Sequence, residues 1–188
     1  KGAMISAVDL LKGIAVGAGM QVLDVPGANG GLHTNYEGKA QAAIKALLED
    51  GCDFAYIHVE APDEMGHQGS LERKVQAIEY LDEKVIGPMC EKLEQAGADF
   101  RMLVLPDHPT PIRVRTHTSD NVPYMLYDST DKQDNVWNYN EEEAKAINEI
   151  QKGILAISQK EEPFDVFICY KETAENGDRT LDSVLAQD

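Results

Sequence analysis

Short apolar runs alternate with amphipathic stretches along this chain, and each change of period falls at a glycine, a proline or a polar cluster. Residues 4–16 place Ile5, Val8, Leu11 and Ala15 at helical spacing, and Gly17 and Gly19 end that stretch. A short strand is predicted over 21–25, followed by the Gly-rich loop Pro26-Gly27-Ala28-Asn29-Gly30-Gly31. A second helix is expected over 36–50, closed by Gly51. Phe54–Val59 is an apolar run of the kind found in a strand covered on both faces. A long helix is expected over 71–96, broken or kinked at Gly87-Pro88. Strands over 102–105 and 123–127 follow. Strand and helix alternating through short connections predict an α/β fold, a mostly parallel sheet flanked by helices.

In such sheets, chemistry collects beyond the carboxyl ends of the strands. A carboxylate–imidazole set lies there. Asp63-Glu64-Met65-Gly66-His67 gives a D-x-x-x-H step after Phe54–Val59, and Asp107-His108 follows the 102–105 run. His117 lies among small polar residues before 123–127. All five groups are expected in short loops, with the two ligand-bearing strands as neighbours and His117 folding back to meet them. A lone histidine after a strand is usually a core or loop residue. Here three of five histidines belong to one set, and two of them lie beside or four residues from an aspartate. Mixed Asp and His donors without thiolate suit Mn²⁺ or Zn²⁺, with Mg²⁺ possible. Five groups suit two divalent ions better than one. His58 reads as a strand histidine outside the set, and His33 as a residue lining a cleft beside the Gly-rich loop.

With 188 residues and 43% hydrophobic content, the chain can bury a single-domain core. A net charge of −16 without basic clusters argues against nucleic acid as a partner. No run reaches the length of a membrane span and no secretory signal is visible. Cys52, Cys90 and Cys169 are far apart and without a C-x-x-C step, which suits a reducing cytoplasm. Nothing in the sequence specifies an oligomeric state.

The segments His58-Val59-Glu60-Ala61-Pro62-Asp63-Glu64-Met65-Gly66-His67, Leu105-Pro106-Asp107-His108-Pro109-Thr110-Pro111 and Arg115-Thr116-His117-Thr118 resemble the archaeal-type, cofactor-independent phosphoglycerate mutases. These belong to the alkaline-phosphatase-like metalloenzymes. Ile5-Ser6-Ala7-Val8-Asp9-Leu10-Leu11-Lys12-Gly13 and Thr34-Asn35-Tyr36-Glu37-Gly38-Lys39 are similar to the same family's C-terminal half. The resemblance implies that Asp63, His67 and His117 hold one metal and Asp107 and His108 a second. It also implies phosphoryl transfer on a small phosphorylated substrate, interconverting 3- and 2-phosphoglycerate. A subgroup with these motifs has been proposed as homoserine kinases, which leaves that alternative open. Arg113 and Arg115 are candidates for the substrate's carboxylate or phosphate, and Lys39 for its phosphate. The family's nucleophilic Ser, and an Asp completing the second metal site, lie in its N-terminal part. The sequence is expected to begin after them, and neither Ser70 nor Ser119 has the nucleophile's setting.

Beyond residue 141 the pattern changes. A helix is predicted over 144–159, and the run from Phe164 to Glu172 with its continuation to Asp188 resembles the opening strand and first helix of a bacterial TIR (Toll/interleukin receptor) domain. The expected division is a metalloenzyme part over 1–141, a helical linker over 142–163 and a TIR-like start over 164–188. The glutamate on which TIR NAD cleavage depends would lie beyond Asp188, so that activity does not carry over. A TIR-containing signalling or interaction protein is the rival function.

Overall fold

The computed structural model describes residues 1–131 and 138–144, together with the backbone of 164–170. Six strands make one sheet: β1 (Gly2–Ile5), β2 (Gln21–Val22), β3 (Phe54–Val59), β4 (Phe100–Leu105), β5 (Met125–Asp128) and β6 (Phe164–Tyr170). Their order is β2-β1-β3-β6-β4-β5. All pairings are parallel except that of β4 with β5. The fold is thus the α/β, mostly parallel arrangement expected from the alternation. No described helix is long and apolar enough to cross a membrane.

The helices are α1 (Asp9–Gly17), α2 (Tyr36–Leu48), α3 (Ala61–His67), α4 (Leu71–Leu81) and α5 (Gly87–Gln95), with a π turn over Asp82–Ile86 joining the last two. Alternation along the strands sets which side chains meet them. Ala55, Ile57 and Val59 of β3 and Phe100, Met102 and Val104 of β4 join one buried cluster with Ala43 and Leu47 of α2 and Leu81, Met89 and Leu93 of the long helix. Burying a side chain of that size contributes about 1.5–3 kcal/mol. The intervening Tyr56, Leu103 and Leu105 form a smaller cluster with Tyr124 on the other side.

Several expectations are corrected. Residues 2–5 form β1 and not the start of a helix: Met4 and Ile5 are buried and pair with Tyr56 and Ile57. Sheet pairing outweighs the helical spacing there. α1 begins only at Asp9 and buries Ala15, leaving Leu10 71% and Val16 69% exposed. β2 is two residues long, and 23–25 leave the sheet. At Gly87-Pro88 the long helix neither ends nor breaks. Pro88 removes one N–H from the ladder, and the π turn just before it absorbs the mismatch. Ala77, Leu81, Val85, Met89 and Leu93, spaced by four, all remain buried through it.

The D-x-x-x-H step, expected in a loop, is the helix α3. Pro62 occupies its first turn, where a missing N–H costs nothing, and Asp63 and Glu64 face the positive end of the dipole. β3 and β4, expected as neighbours, are separated by β6, which pairs with both, Ile57 with Ile168 and Leu103 with Phe167. The rest of the expected 142–163 linker and of the TIR-like 164–188 segment lies outside the described residues, apart from 142–144 and this strand.

Candidate metal centre

β3 runs directly into α3, so the carboxyl end of that strand delivers a helix and not a loop. Four residues apart on α3, Asp63 and His67 share one face. Asp63 Oδ2 lies 3.4 Å from His67 Nε2, and Asp63 Oδ1 lies 3.3 Å from His117 Nε2. The two Nε2 atoms are 3.1 Å apart. Donors about 2.0–2.1 Å from a tetrahedral ion stand roughly 3.3–3.4 Å from one another, so each of the three separations suits neighbouring ligands of one ion, with Asp63 meeting the two rings through different oxygens. His67 Nδ1 lies 2.9 Å from the Arg115 carbonyl oxygen, to which it can only donate. That bond leaves Nε2 with its lone pair toward the cluster. Arg115 adopts a left-handed φ of 59°, closing the turn that Arg115 N–H makes to the Pro111 carbonyl.

Asp107 and His108 leave the end of β4. His108 stacks against His117 with ring centroids 3.6 Å apart. Ligand atoms of Asp63, His108 and His117 all lie within 4.8 Å of one another, and His108 Nε2 is 3.6 Å from Asp107 Oδ1. Since β6 intervenes, the 107–118 loop must reach about 10 Å across it to meet α3. Thr110 makes the crossing possible. Its hydroxyl donates to Asp63 Oδ1 at 2.5 Å, and its carbonyl accepts from Lys74 Nζ at 2.6 Å. Thr110 and Lys74 are both buried. Gly66 permits the contact: a Cβ there would sit 2.7 Å from the Thr110 carbonyl oxygen.

Behind the cluster lies a buried charged group that the sequence reading did not assign. Lys39, expected to face phosphate, is turned into the core, where Nζ donates to the His58 carbonyl at 2.6 Å and to Glu60 Oε2 at 3.0 Å. His58 Nδ1 lies 3.3 Å from Glu60 Oε1, and His58 Nε2 is 3.9 Å from Asp107 Oδ2. Burial alone would raise the Glu60 carboxyl, but the His58 hydrogen bond and the Lys39 charge outweigh it and bring its pKa to about 2. Burial likewise opposes charging of His58, and the facing carboxylates of Asp107 and Glu60 raise its pKa instead. Nothing in the sequence singles out this group except His58 and Glu60 at i and i+2, one strand face leading into α3.

Arg113 and Arg115 are exposed on the ligand loop. His33 lines a separate cleft of about 420 Å³ between the Gly-rich loop, the start of α2, Tyr80 and Lys84. That cleft includes none of the five clustered groups. The Ser6 hydroxyl accepts from the Val8 N–H, and Ser70 sits at the start of α4. As for a divalent ion, the donors are carboxylate and imidazole, their spacing matches, and one buried donor atom, His58 Nε2, has no hydrogen-bond partner among the described residues. The residues fit.

The family described as "Metalloenzyme superfamily" matches residues 1–161. The 2,3-bisphosphoglycerate-independent phosphoglycerate mutase of Methanothrix thermoacetophila is 56% identical over 126 residues, covering 67% of the chain and 32% of that protein. Its counterpart from Methanosarcina mazei is 54% identical over 147 residues, covering 77% and 36%. The solved PH0037 protein from Pyrococcus horikoshii superposes with a TM-score of 0.68 at 29% identity, covering 89% of this chain and 45% of that one. The chain spans about a third of the length of the curated relatives it matches.

Proposed function

Because the chain belongs to the metalloenzyme superfamily, we propose that Asp63, His67 and His117 hold one divalent ion and Asp107 and His108 a second, in the service of phosphoryl transfer on phosphoglycerate. The observation that carries this reading is the convergence of the Asp63 carboxylate, His67 Nε2 and His117 Nε2, each pair 3.1–3.4 Å apart through its nearest atoms. The substrate class rests on the names of the relatives. Such ions, when bound, stabilise charge on phosphoryl oxygens and acidify a hydroxyl nucleophile. Mn²⁺ and Zn²⁺ both suit the donor set.

The chain's own residues position and orient. Thr110 fixes one oxygen of Asp63, and the Arg115 carbonyl fixes the ring of His67. Lys74 ties the ligand loop to α4. Arg113 and Arg115, exposed on that loop, offer guanidinium forks to a carboxylate or a phosphate. In this reading no serine of the described residues is the nucleophile, and the metal-binding unit over 1–141 takes its β6 from 164–170. Cys52 and Cys90 are free thiols, in keeping with a cytoplasmic enzyme.

Calorimetric titration with Zn²⁺ or Mn²⁺ should give two ions per chain, with the site containing Asp63 lost in Asp63→Asn. 3-Phosphoglycerate should bind the metal-loaded protein more tightly than the metal-free protein. A wild type that binds no more metal than Asp63→Asn would sink the metal assignment. Equal substrate affinity with and without metal would remove the substrate assignment.

A further inference from the structure

On β3 and β4, residues of one parity share a face: Tyr56 and His58 on one strand, Leu103 and Leu105 on the other, with Asp107 continuing the second series past the strand's end. His58 is 1% exposed, and its Nε2 is buried without a hydrogen-bond partner among the described residues. Orphaned buried polar atoms are rare and call for an explanation. Nε2 stands 3.9 Å from Asp107 Oδ2. That is too long for a hydrogen bond and longer than the roughly 3.3–3.6 Å between neighbouring donors of a tetrahedral ion, but within the roughly 4.0–4.4 Å that separates donors on opposite sides of a five- or six-coordinate one.

The surroundings of the other ring nitrogen favour the proton there. Nδ1 lies 3.3 Å from Glu60 Oε1, and an ionised carboxylate can only accept, so Nδ1 is the N–H. Glu60 is itself held by Lys39 Nζ on Oε2 and by the Ala7 N–H on Oε1. Ser6 Oγ is 3.4 Å from Nδ1. In the neutral ring this leaves a bare lone pair on Nε2 beside the Asp107 carboxylate. Carboxylate on Nδ1–H with Nε2 free is the arrangement that orients and strengthens histidines bound to metals. We infer that His58 Nε2 is a ligand of the second ion, beside Asp107, with Glu60 and Lys39 as its fixed support. The inference rests on the two-ion reading above and adds a third protein donor to the site formed by Asp107 and His108.

The test uses Zn²⁺ and two measurements on the whole chain. His58→Phe keeps a buried ring without a donor atom. By calorimetry it should keep the ion at Asp63, His67 and His117 and lose at least about tenfold in affinity for the other. In the unsubstituted protein, ¹⁵N spectra of the histidine rings should show His58 Nε2 shifting with the second equivalent of Zn²⁺ while carrying no proton. Two ions bound with wild-type affinity by His58→Phe would overturn the inference. So would a proton retained on His58 Nε2 at saturation, which would make the ring a donor to Asp107. A wild type that binds no Zn²⁺ would overturn the two-ion reading itself, a result distinct from either.

Discussion

Replacing Glu60 by Gln removes one charge from a pair that water does not reach. The Lys39 and Glu60 side chains are 0% and 5% exposed and 3.0 Å apart. In Glu60→Gln the ammonium stays where it is, bonded to the His58 carbonyl at 2.6 Å, with its counter-charge gone. Removing one partner of a buried pair costs about 3–5 kcal/mol. Titration gives a similar magnitude. Glu60 is displaced from an ordinary 4.5 to about 2, and at about 1.4 kcal/mol per pH unit this amounts to roughly 3 kcal/mol. A depressed carboxyl contributes its stability above its unfolded value, so the contribution is full above about pH 4.5 and is lost as the pH falls toward 2. Urea unfolding followed by circular dichroism should therefore show Glu60→Gln about 3 kcal/mol less stable than wild type at pH 7, with the gap narrowing below pH 4. Against a typical total of about 5–15 kcal/mol this is a large fraction. Adding Lys39→Met should restore most of the loss, because no uncompensated charge then stays buried. A single variant within about 0.5 kcal/mol of wild type at pH 7 with an unchanged denaturant slope, or a double variant no better than the single, would refute the reasoning.

Thr110→Val keeps the shape of the buried side chain but withdraws its bond to Asp63. Zn²⁺ affinity should fall about 10-fold or more by calorimetry, and unchanged affinity would show that Asp63 needs no orienting partner. Gly66→Ala puts a methyl group 2.7 Å from the Thr110 carbonyl oxygen and 2.9 Å from Lys74 Nζ. Thermal unfolding should report a loss of about 1–3 kcal/mol, accompanied by weaker metal binding, since the ligand loop must lift from α3. Amide exchange at 166–169 should be as slow as in β3, because β6 is paired on both sides. Exchange at the rate of an unfolded chain would place the strand outside the sheet.

Fold class and the five clustered groups were legible because both rest on local pattern. Strand and helix periods alternate cleanly from Gln21 to Leu105, and Asp63 with His67, or Asp107 with His108, can be recognised as pairs without knowing what lies opposite. What was not legible depends on distant partners. α3 has only seven residues; it is helical because Met65 joins the main core while Asp63 and Gly66 meet Thr110 and Lys74. Residues 2–5 are extended because β3 lies alongside them. The separation of β3 from β4 depends on a strand nearly sixty residues further on. Lys39 reads as a phosphate candidate because the sequence does not show which way a side chain turns. Its place in the core is set by Glu60, twenty-one residues away.

The π turn over Asp82–Ile86 sets the phase of the helix across it. In a continuous α-helix, side chains four apart drift by about 40° per step around the axis, so a stripe maintained over sixteen residues would wind well away from the sheet. The wider turn takes up part of that drift, and Ala77 and Leu93 at the two ends of the stripe are both fully buried. Deleting one residue from this turn would let it close as a regular α-helix with everything beyond in nearly its present phase, because five residues of a π turn sweep about the same angle as four of an α-helix. Met89 and Leu93 would then stay on the core with Ala77 and Leu81. The turn thus accommodates one residue more than the helix needs, in a stretch that contributes no atom to the metal cluster.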